Sequence, residues 1–495
     1  MHLKSTVHTA VSSYIATFSS IAIGLLTIRV ATQYLGKEEF GLWSFTLQTV
    51  GYLLLLDLGV SSSIARLFGE PLASGDRNRM DSWFTLSLIT LLCQALLILA
   101  IGLAVRPFVL HWFNIPSHLI DRASTLWLTF LCVRSAGLVF TITFAILHAQ
   151  NRVFWSNIVQ MSGAWAGLGA FAFMLWHGYG VMAYGWSTAI GSFVIIVGGV
   201  LAVARGQHRF GISLQGVKRH DVRHLFGFSS SVFVIGLAAQ MYFASHGLIA
   251  TKLLGLETAA VFAVTFRIVS IATSAIWKPF DAFSPRWQIA YCNHDLPRVT
   301  REFSLVARFT ILLAAAGAIG ISIVNQPFIY WWTKPEFFGG QALNFLLAIF
   351  VLIQGINRCF TTIFPLTLRM KGYTVVNLSS VAVAVCLMIL FASWWGLPGI
   401  PAGLVITDLM FPMWYYLCKG GSLIGVNGPK VLVQDAVYWL PLLGLSFGVA
   451  SWLAHFGFHS NFHWFLSALA CAAVCTGPLL WRAYGMIQKL RNTQS

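Results

Sequence analysis

The sequence predicts an all-α protein that crosses a membrane many times. Hydrophobic residues make up 57% of the 495 residues, charged residues only 9%, and the mean hydropathy is +0.76. A soluble globular chain is roughly 25% charged. The apolar residues fall into long runs, and one short motif is repeated once along the chain. These observations predict about 14 transmembrane helices, arranged as two parallel six-helix lobes plus two C-terminal helices.

The individual spans are predicted from fourteen apolar segments, each near the ~20 residues that a membrane-spanning helix needs. Because the segments do not alternate between polar and apolar residues, they are helices rather than barrel strands. The first segment is too long for a signal-peptide core, so it is expected to be retained as a span. The segments are 9–32, 42–66, 83–105, 124–147, 156–176, 181–204, 226–250, 260–284, 303–325, 343–366, 375–395, 402–418, 436–456 and 463–481.

The loop charges predict the orientation. Most loop Lys and Arg lie in the loops on the same side as the N-terminus, and the opposite loops hold only Lys37, Arg106, Arg122, Lys252 and Lys334. Cytoplasmic loops carry the excess of basic residues, so both termini are expected to be cytoplasmic. The net charge of +16 therefore reflects topology and does not indicate nucleic-acid binding.

The repeated motif predicts the domain organisation. Residues 31–39, ATQYLGKEE, and 250–258, ATKLLGLET, agree at five of their first eight positions. The same offset relates Asp76 to Asp295, Arg79 to Arg298, Trp176 to Trp395, Gly180 to Gly399 and Ala183 to Ala402. Because the offset covers an even number of spans, both copies cross the membrane in the same direction, as in a parallel repeat. The predicted domains are 1–210, 211–425 and, for the two extra spans and tail, 426–495.

Charged residues inside the predicted spans are the candidate functional residues. A charge at mid-bilayer costs ~2.5–3.5 kcal/mol on insertion scales, so such residues face a cavity or a partner. The basic ones outnumber the acids, and a bound anion would satisfy the excess, since Arg forks match phosphate geometry. The basic residues are Arg29, Arg134, Arg267, Lys278, Arg308 and Arg358, and the acids are Asp57, Asp281 and Asp408.

The depth of each basic residue separates their expected roles. Arg134 and Arg358 lie deep in corresponding spans, so they are expected to line a cavity, with an ion pair to an acid such as Asp57 as the alternative. For Lys278, cavity lining and extension to the headgroups remain equally open. Arg308 lies about one turn from a cytoplasmic end and is expected to reach the headgroups. Arg29 and Arg267 lie nearer the outer ends, and their cavity-lining role is also left open.

Several motifs resemble one transporter family. The opening combines a Ser-rich span that ends in Arg29 with YLGKEEFGLWSF (34–45) and LLDLGVSSSIARLFGE (55–70); NRVFWSN (151–157) and GYGVMAYG (178–185) follow. These stretches are similar to the polysaccharide-type, O-antigen-type flippases of the multidrug/oligosaccharidyl-lipid/polysaccharide exporter superfamily. The resemblance extends over the whole chain.

The resemblance implies a function and a site. It implies alternating-access transport of undecaprenyl-pyrophosphate-linked oligosaccharide from the cytoplasmic to the periplasmic leaflet of the bacterial inner membrane, for surface polysaccharide synthesis. It also implies a central cavity on the spans that carry Arg29, Asp57, Arg134, Arg267 and Arg358. Asp57 and Asp408 are candidates for proton coupling or for structural pairing. The sequence leaves open whether a polysaccharide polymerase and a chain-length regulator are partners.

Three other classes of function would leave different features in the sequence. A drug exporter of the same superfamily, coupled to H⁺ or Na⁺, would be expected to place acids in its cavity. A membrane enzyme is disfavoured, because His111, His118 and Asp121 in an outer loop lack a nucleophile or metal spacing, and no phosphate-binding Gly-Lys-Ser/Thr loop is present. A scaffold would gain nothing from intramembrane charges. Cys471 and Cys475 share a helix face without further ligands, so neither a metal nor a cofactor is expected.

Overall fold

The helical fold class is confirmed by the computed structural model. It describes residues 2–54, 64, 68, 76–150, 152–206, 211–213, 237–238, 240–242, 244–455 and 461–492, and within these ranges every regular element is helical. Twelve of the helices there are long and apolar enough to cross a membrane. The two other predicted spans, 42–66 and 226–250, extend beyond the described residues.

The chain divides into two compact units. Unit 1 is Met1–Ala244 and unit 2 is Ser245–Ser495. The predicted domain limits at 210/211 and 425/426 stay predictions, and the residues around the first of them lie largely outside the described ranges.

Unit 1 contains six long helices within the described ranges. Its tightest helix pair is α5–α6, where Gly163 and Gly191 allow the two backbones to approach closely: a Cβ on Gly191 would lie 2.8 Å from the carbonyl oxygen of Gly163. Helix α4 packs against α2, α3 and α6, and α1 packs against α5. The helices are α1 (His2–Tyr34), α2 (Lys37–Leu53), α3 (Arg77–Trp112), α4 (Ile120–Ala149), α5 (Val153–Trp176) and α6 (Met182–Ala204).

Unit 2 is built around its second and third long helices. These are α8 and α9, and about three quarters of their apolar windows are buried. Helix α8 packs against α7, α9 and both C-terminal helices. The long helices are α7 (Leu256–Cys292), α8 (Leu296–Trp332), α9 (Gln341–Thr361), α10 (Met370–Trp395), α11 (Gly399–Met410), α12 (Ala436–His455) and α13 (Asn461–Asn492).

The sequence repeat reappears in the helix ends. Asp76 and Asp295 are both N-caps, and their carboxylates accept hydrogen bonds from the backbone N–H groups of Arg79 and Arg298 at 3.1 and 3.2 Å. A side-chain oxygen at this position satisfies an N–H that the helix itself cannot. The repeated Gly36 and Gly255 likewise precede α2 and α7, and Gly255 has φ +89°, which favours glycine. The repeat offset therefore marks corresponding helix starts in both units, although Gly36, with φ −69°, differs from Gly255 in backbone conformation.

Candidate functional site

Arg134 is the intramembrane arginine that faces open space in unit 1. It lies midway along α4, is exposed, and lines two adjoining cavities of about 260 and 550 Å³. Among the described residues, no ion pair or hydrogen bond reaches its guanidinium. The described residues that line the two cavities include no Asp or Glu. Within the described residues, this part of unit 1 therefore carries a positive charge that no acid neutralises.

Hydroxyl groups form the rest of the polar side-chain lining of the smaller cavity, and Gln160 adds an amide to the larger one. The smaller cavity is lined by Thr27, Tyr184, Ser187, Thr188 and Ser192. The hydroxyls of Thr27, Ser187 and Thr188 donate to carbonyl oxygens of their own helices. Because these hydroxyl protons are already donated, the oxygens can only accept further hydrogen bonds. An anion needs donors, so the guanidinium of Arg134 is the group that would bind it. The smaller cavity thus combines one cationic group that donates hydrogen bonds, the guanidinium of Arg134, with several hydroxyl groups.

Arg29 lies two residues beyond Thr27 on α1, near the same cavity along the chain. Its side chain is partly buried. The described part of unit 1 thus brings the helix of Arg29 close to Arg134. Asp57, the third predicted residue of this region, lies outside the described residues.

Arg358 is different, because an acid neutralises it. Its guanidinium forms an ion pair with Asp281 of α7 and stacks 5.0 Å above the ring of Trp277, one turn earlier on the same helix. The two paired side chains are 34% and 43% exposed. The expected alternative of an ion pair at Arg358 is thus observed, with Asp281 rather than Asp57 as the partner.

Lys278 and Arg267 extend the basic character of α7. Lys278 is exposed, adjoins Trp277 in sequence, and has no ion pair with any residue that the structure describes. Arg267 is partly buried and lies about 16 Å away along the helix axis, at 1.5 Å per residue. On α7, Lys278 therefore adjoins the residue that stacks on Arg358, while Arg267 lies about three turns away.

Asp408 is the most deeply buried of the predicted acids in the described ranges. It lies on α11, is 4% exposed, and accepts a hydrogen bond from the Nε2 of Gln354 at 3.1 Å. Gln354 precedes Arg358 by one turn on α9, so the two side chains project from one face of that helix. One face of α9 therefore contacts an acid from α7 and an acid from α11.

Arg308 differs from its predicted role. Instead of reaching the headgroups, it donates two hydrogen bonds to Asp435, at 2.7 and 3.0 Å. Arg482 of α13 donates to the same carboxylate at 2.9 Å, and Asp435 is 1% exposed. Burial would raise the pKa of Asp435, but the hydrogen bonds and charges of the two arginines outweigh it and hold this pKa below its usual range. Arg308 is therefore a structural residue that ties α8 to the C-terminal helices.

Of the outer-loop residues considered for catalysis, His118 contacts an acid on the surface of unit 1, and its neighbour Arg122 forms a similar contact. His118 lies 3.2 Å from Glu38, and Arg122 lies 2.6 Å from Glu39. These acids begin α2, so the pairs join the start of α2 to the start of α4. The contacts give His118 a structural partner.

Sequence reasoning missed the role of Asp281 and Trp277. The spacing WKPFD puts Trp277 and Asp281 one turn apart on α7, where both can contact a single guanidinium. That spacing could have indicated a pair of residues that holds an arginine, because Asp281 is one of few acids among many basic residues. What the spacing cannot show is which of the arginines comes from another helix to meet them.

The fold and these residues define a multi-pass membrane protein with basic residues in its interior. The pattern that defines the polysaccharide biosynthesis protein family matches residues 8–286, more than half of the chain. The chain belongs to this family. Among curated proteins, none has a matching sequence.

Solved structures share the fold at low sequence identity. A structure described as lipid II flippase MurJ in an inward closed conformation is 15% identical, with a TM-score of 0.69 over 96% of this chain and 99% of that one. An inward-facing MATE-family multidrug resistance transporter of the MOP superfamily is 14% identical, with a TM-score of 0.69 over 84% and 98%. A Pyrococcus furiosus MOP-superfamily transporter, whose description reports a binding pocket of reverse polarity, is 16% identical, with a TM-score of 0.56 over 85% and 96%. These matches show that the chain shares the fold of these proteins.

Proposed function

We propose that the chain is a flippase that moves undecaprenyl-pyrophosphate-linked oligosaccharide from the cytoplasmic to the periplasmic leaflet by alternating access. The observation that carries this proposal is Arg134, a cation that pairs with no acid among the described residues and lines a cavity with several hydroxyl groups. A pyrophosphate group has the charge and the oxygen geometry that a guanidinium binds best. The lipid tail of such a substrate can stay in the bilayer while its headgroup crosses.

Each predicted residue has a role in this proposal. Arg29 and Arg134 of unit 1, and Arg267, Lys278 and Arg358 of unit 2, bind the anionic headgroup during transport. Asp57 and Asp408 carry a coupled proton or pair with neighbouring polar groups. The contact between Asp408 and Gln354 supports the pairing role in unit 2.

The cellular setting follows from the same function. The protein acts in the bacterial inner membrane with both termini in the cytoplasm, and it supplies the synthesis of a surface polysaccharide such as O-antigen. A polysaccharide polymerase and a chain-length regulator are the partners that would use its product. The chain itself catalyses no covalent step in this proposal.

A multidrug exporter coupled to H⁺ or Na⁺ is the second candidate, because the fold is shared with MATE-family structures. An exporter of organic cations needs acids where its substrate binds. The lining of the two Arg134 cavities has the opposite polarity among the described residues. This polarity, together with the family match, favours an anionic lipid-linked substrate.

The deciding experiment compares lipid extracts from cells with and without the protein. We expect a pyrophosphate-linked oligosaccharide to accumulate and surface polysaccharide to be lost, with both effects reversed by restoring the gene. Mass spectrometry of the accumulated lipid then identifies the sugar. An unchanged lipid pool with new sensitivity to cationic dyes would instead support the drug exporter.

A further inference from the structure

The ion pair between Arg358 and Asp281 lies where the proposed substrate would need a free guanidinium. Arg358 has five N–H donors in a planar fork. Its Nε is buried and makes no hydrogen bond to any described residue, while its outer nitrogen binds Asp281. With about a third of the Arg358 side chain and more than two fifths of the Asp281 side chain exposed, another anion can approach the pair.

We propose that Asp281 is an internal competitor that occupies Arg358 when no substrate is bound and is displaced by the substrate's pyrophosphate group. The inference rests on the proposed flippase function and adds a device for release to it. An arginine without a partner in a membrane protein is costly, so the acid stabilises the empty state. The same acid weakens net anion binding, because the substrate must first displace it.

Trp277 keeps the guanidinium in place while its partner changes. The ring lies 5.0 Å from the guanidinium carbon, within the range of a cation–π contact. That contact does not involve the edge that binds a carboxylate or a phosphate. Stacking therefore fixes the plane of Arg358 and leaves the choice of anion open.

The backbone around Asp281 suits a side chain that changes partners. Pro279 and Pro285 lie inside α7 on either side of Asp281. A proline within a helix removes one backbone hydrogen bond and disturbs the preceding turn. Local adjustment of α7 at Asp281 thus breaks fewer backbone hydrogen bonds than elsewhere along the helix.

Other charged groups near the pair do not replace Asp281. Lys278, one turn before Asp281, is basic and adds to the attraction for an anion. Tyr373 of α10 is close enough to Arg358 to interact with its charge but is neutral at physiological pH. Asp408 is held by Gln354 on the neighbouring turn of α9. Asp281 is the acid that contacts the guanidinium.

The test measures binding and transport in the full-length purified protein. The probe is a citronellyl pyrophosphate diester that carries one hexosamine, whose two negative charges do not change near neutral pH. We expect Asp281→Asn to bind the probe about twofold to fivefold more tightly, because partly exposed ion pairs are weak. We also expect this variant to transport the probe more slowly in proteoliposomes, since release becomes harder.

A double-variant cycle separates competition from general charge effects. In an Arg358→Gln background, adding Asp281→Asn should leave the residual affinity unchanged, because the acid acts through Arg358. The control Asp121→Asn removes an equal charge from the surface of unit 1 and should bind like the wild type. Probe binding by Asp281→Asn that equals or falls below that of the wild type would overturn the competition. If the wild-type protein fails to bind the probe, the proposed substrate class itself is wrong.

Discussion

At the residue scale, two arginines that look equivalent in the sequence have different surroundings. Arg134 and Arg358 occupy corresponding helices of the repeat, yet Arg358 is paired with Asp281, and Arg134 makes no ion pair within the described residues. The charge of an intramembrane arginine is thus compensated by an anion from one of two sources. In unit 2 the protein supplies the anion, and in unit 1 the proposed substrate does.

This contrast predicts a large effect at Arg134. We expect Arg134→Gln to lower transport about tenfold to a hundredfold, since a hydrogen bond to a charged group contributes about 1.5–3 kcal/mol. The measurement is the initial transport rate in proteoliposomes, with the amount of inserted protein quantified. Arg205→Gln, which removes an exposed charge just after α6, should transport at the wild-type rate. Normal transport by the Arg134 variant would exclude this cavity from substrate binding.

The sequence shows the depth of a charge but not its partner. Depth alone separated Arg134 from residues near span ends. Arg308 shows the limit, because its partner Asp435 is 127 residues away in the chain. Such a contact depends on how α8 packs against the C-terminal helices, and the sequence pattern around Arg308 cannot predict that packing.

At the element scale, Asp435 is the main polar tie between α8 and the C-terminal helix α13. Its carboxylate receives hydrogen bonds from Arg308 of α8 and Arg482 of α13. The ring of Tyr438 lies 3.8 Å from the Arg482 guanidinium and adds a cation–π contact. The remaining contacts between these helices are largely apolar, so this cluster fixes their register.

We expect Asp435→Asn to destabilise the protein by about 3 kcal/mol, because two arginines lose the charge that compensates them. Thermal unfolding in detergent measures this change. The pKa of Asp435 is depressed in the folded state, so its stabilisation is complete above the unfolded-state pKa of about 3.9 and is lost as the pH falls through the folded-state value. The gap in stability between the wild type and the variant should therefore stay constant from pH 8 to pH 5 and narrow only in stronger acid. A gap that closes between pH 8 and pH 5 would contradict this account.

The close contact of α5 and α6 makes a second prediction for the helical elements. We expect Gly191→Ala to lower stability by about 1–3 kcal/mol, because its methyl group would lie 2.8 Å from a carbonyl oxygen of α5. Gly169→Ala on α5 is the matched control, since a Cβ there meets nothing within 4 Å and alanine favours the helix. Its thermal unfolding should be unchanged or shifted upward. Equal destabilisation by both variants would mean that helix packing at Gly191 is looser than the structure indicates.

The helices were far more predictable than their packing. Long apolar runs located the twelve described helices that are long and apolar enough to cross a membrane, and the repeat located matching helix ends at Asp76 and Asp295. Both signals are local or periodic, so they survive in a single sequence. The extensive burial of α8 and α9 was not predictable, because an apolar helix that faces lipid and one that faces protein have similar compositions.

At the scale of the whole molecule, the loop charges and the repeat together specify how the chain crosses the membrane. An even number of spans returns the chain to the side on which it began. The repeat then predicts that corresponding helices in the two halves cross the membrane in the same direction. The orientation is independent of the substrate, so it can be tested separately from transport.

The orientation predicts opposite accessibility at the two ends of α8. This helix has 37 residues and is about 55 Å long, which exceeds the ~30 Å hydrocarbon core, so its ends lie on opposite sides of the membrane. Cys292 is exposed just before it, on the predicted cytoplasmic side, and Lys334 is exposed just after it, on the predicted outer side. In intact cells, a membrane-impermeant maleimide should label Lys334→Cys in a background without other cysteines.

The matched protein that keeps Cys292 as its single cysteine should react only after the cells are permeabilised. Both proteins should label equally in permeabilised cells, which controls for expression and thiol reactivity. The reverse pattern in intact cells would place the termini outside. An inverted orientation would also put the basic loops on the outer face, against the charge rule from which the topology was predicted.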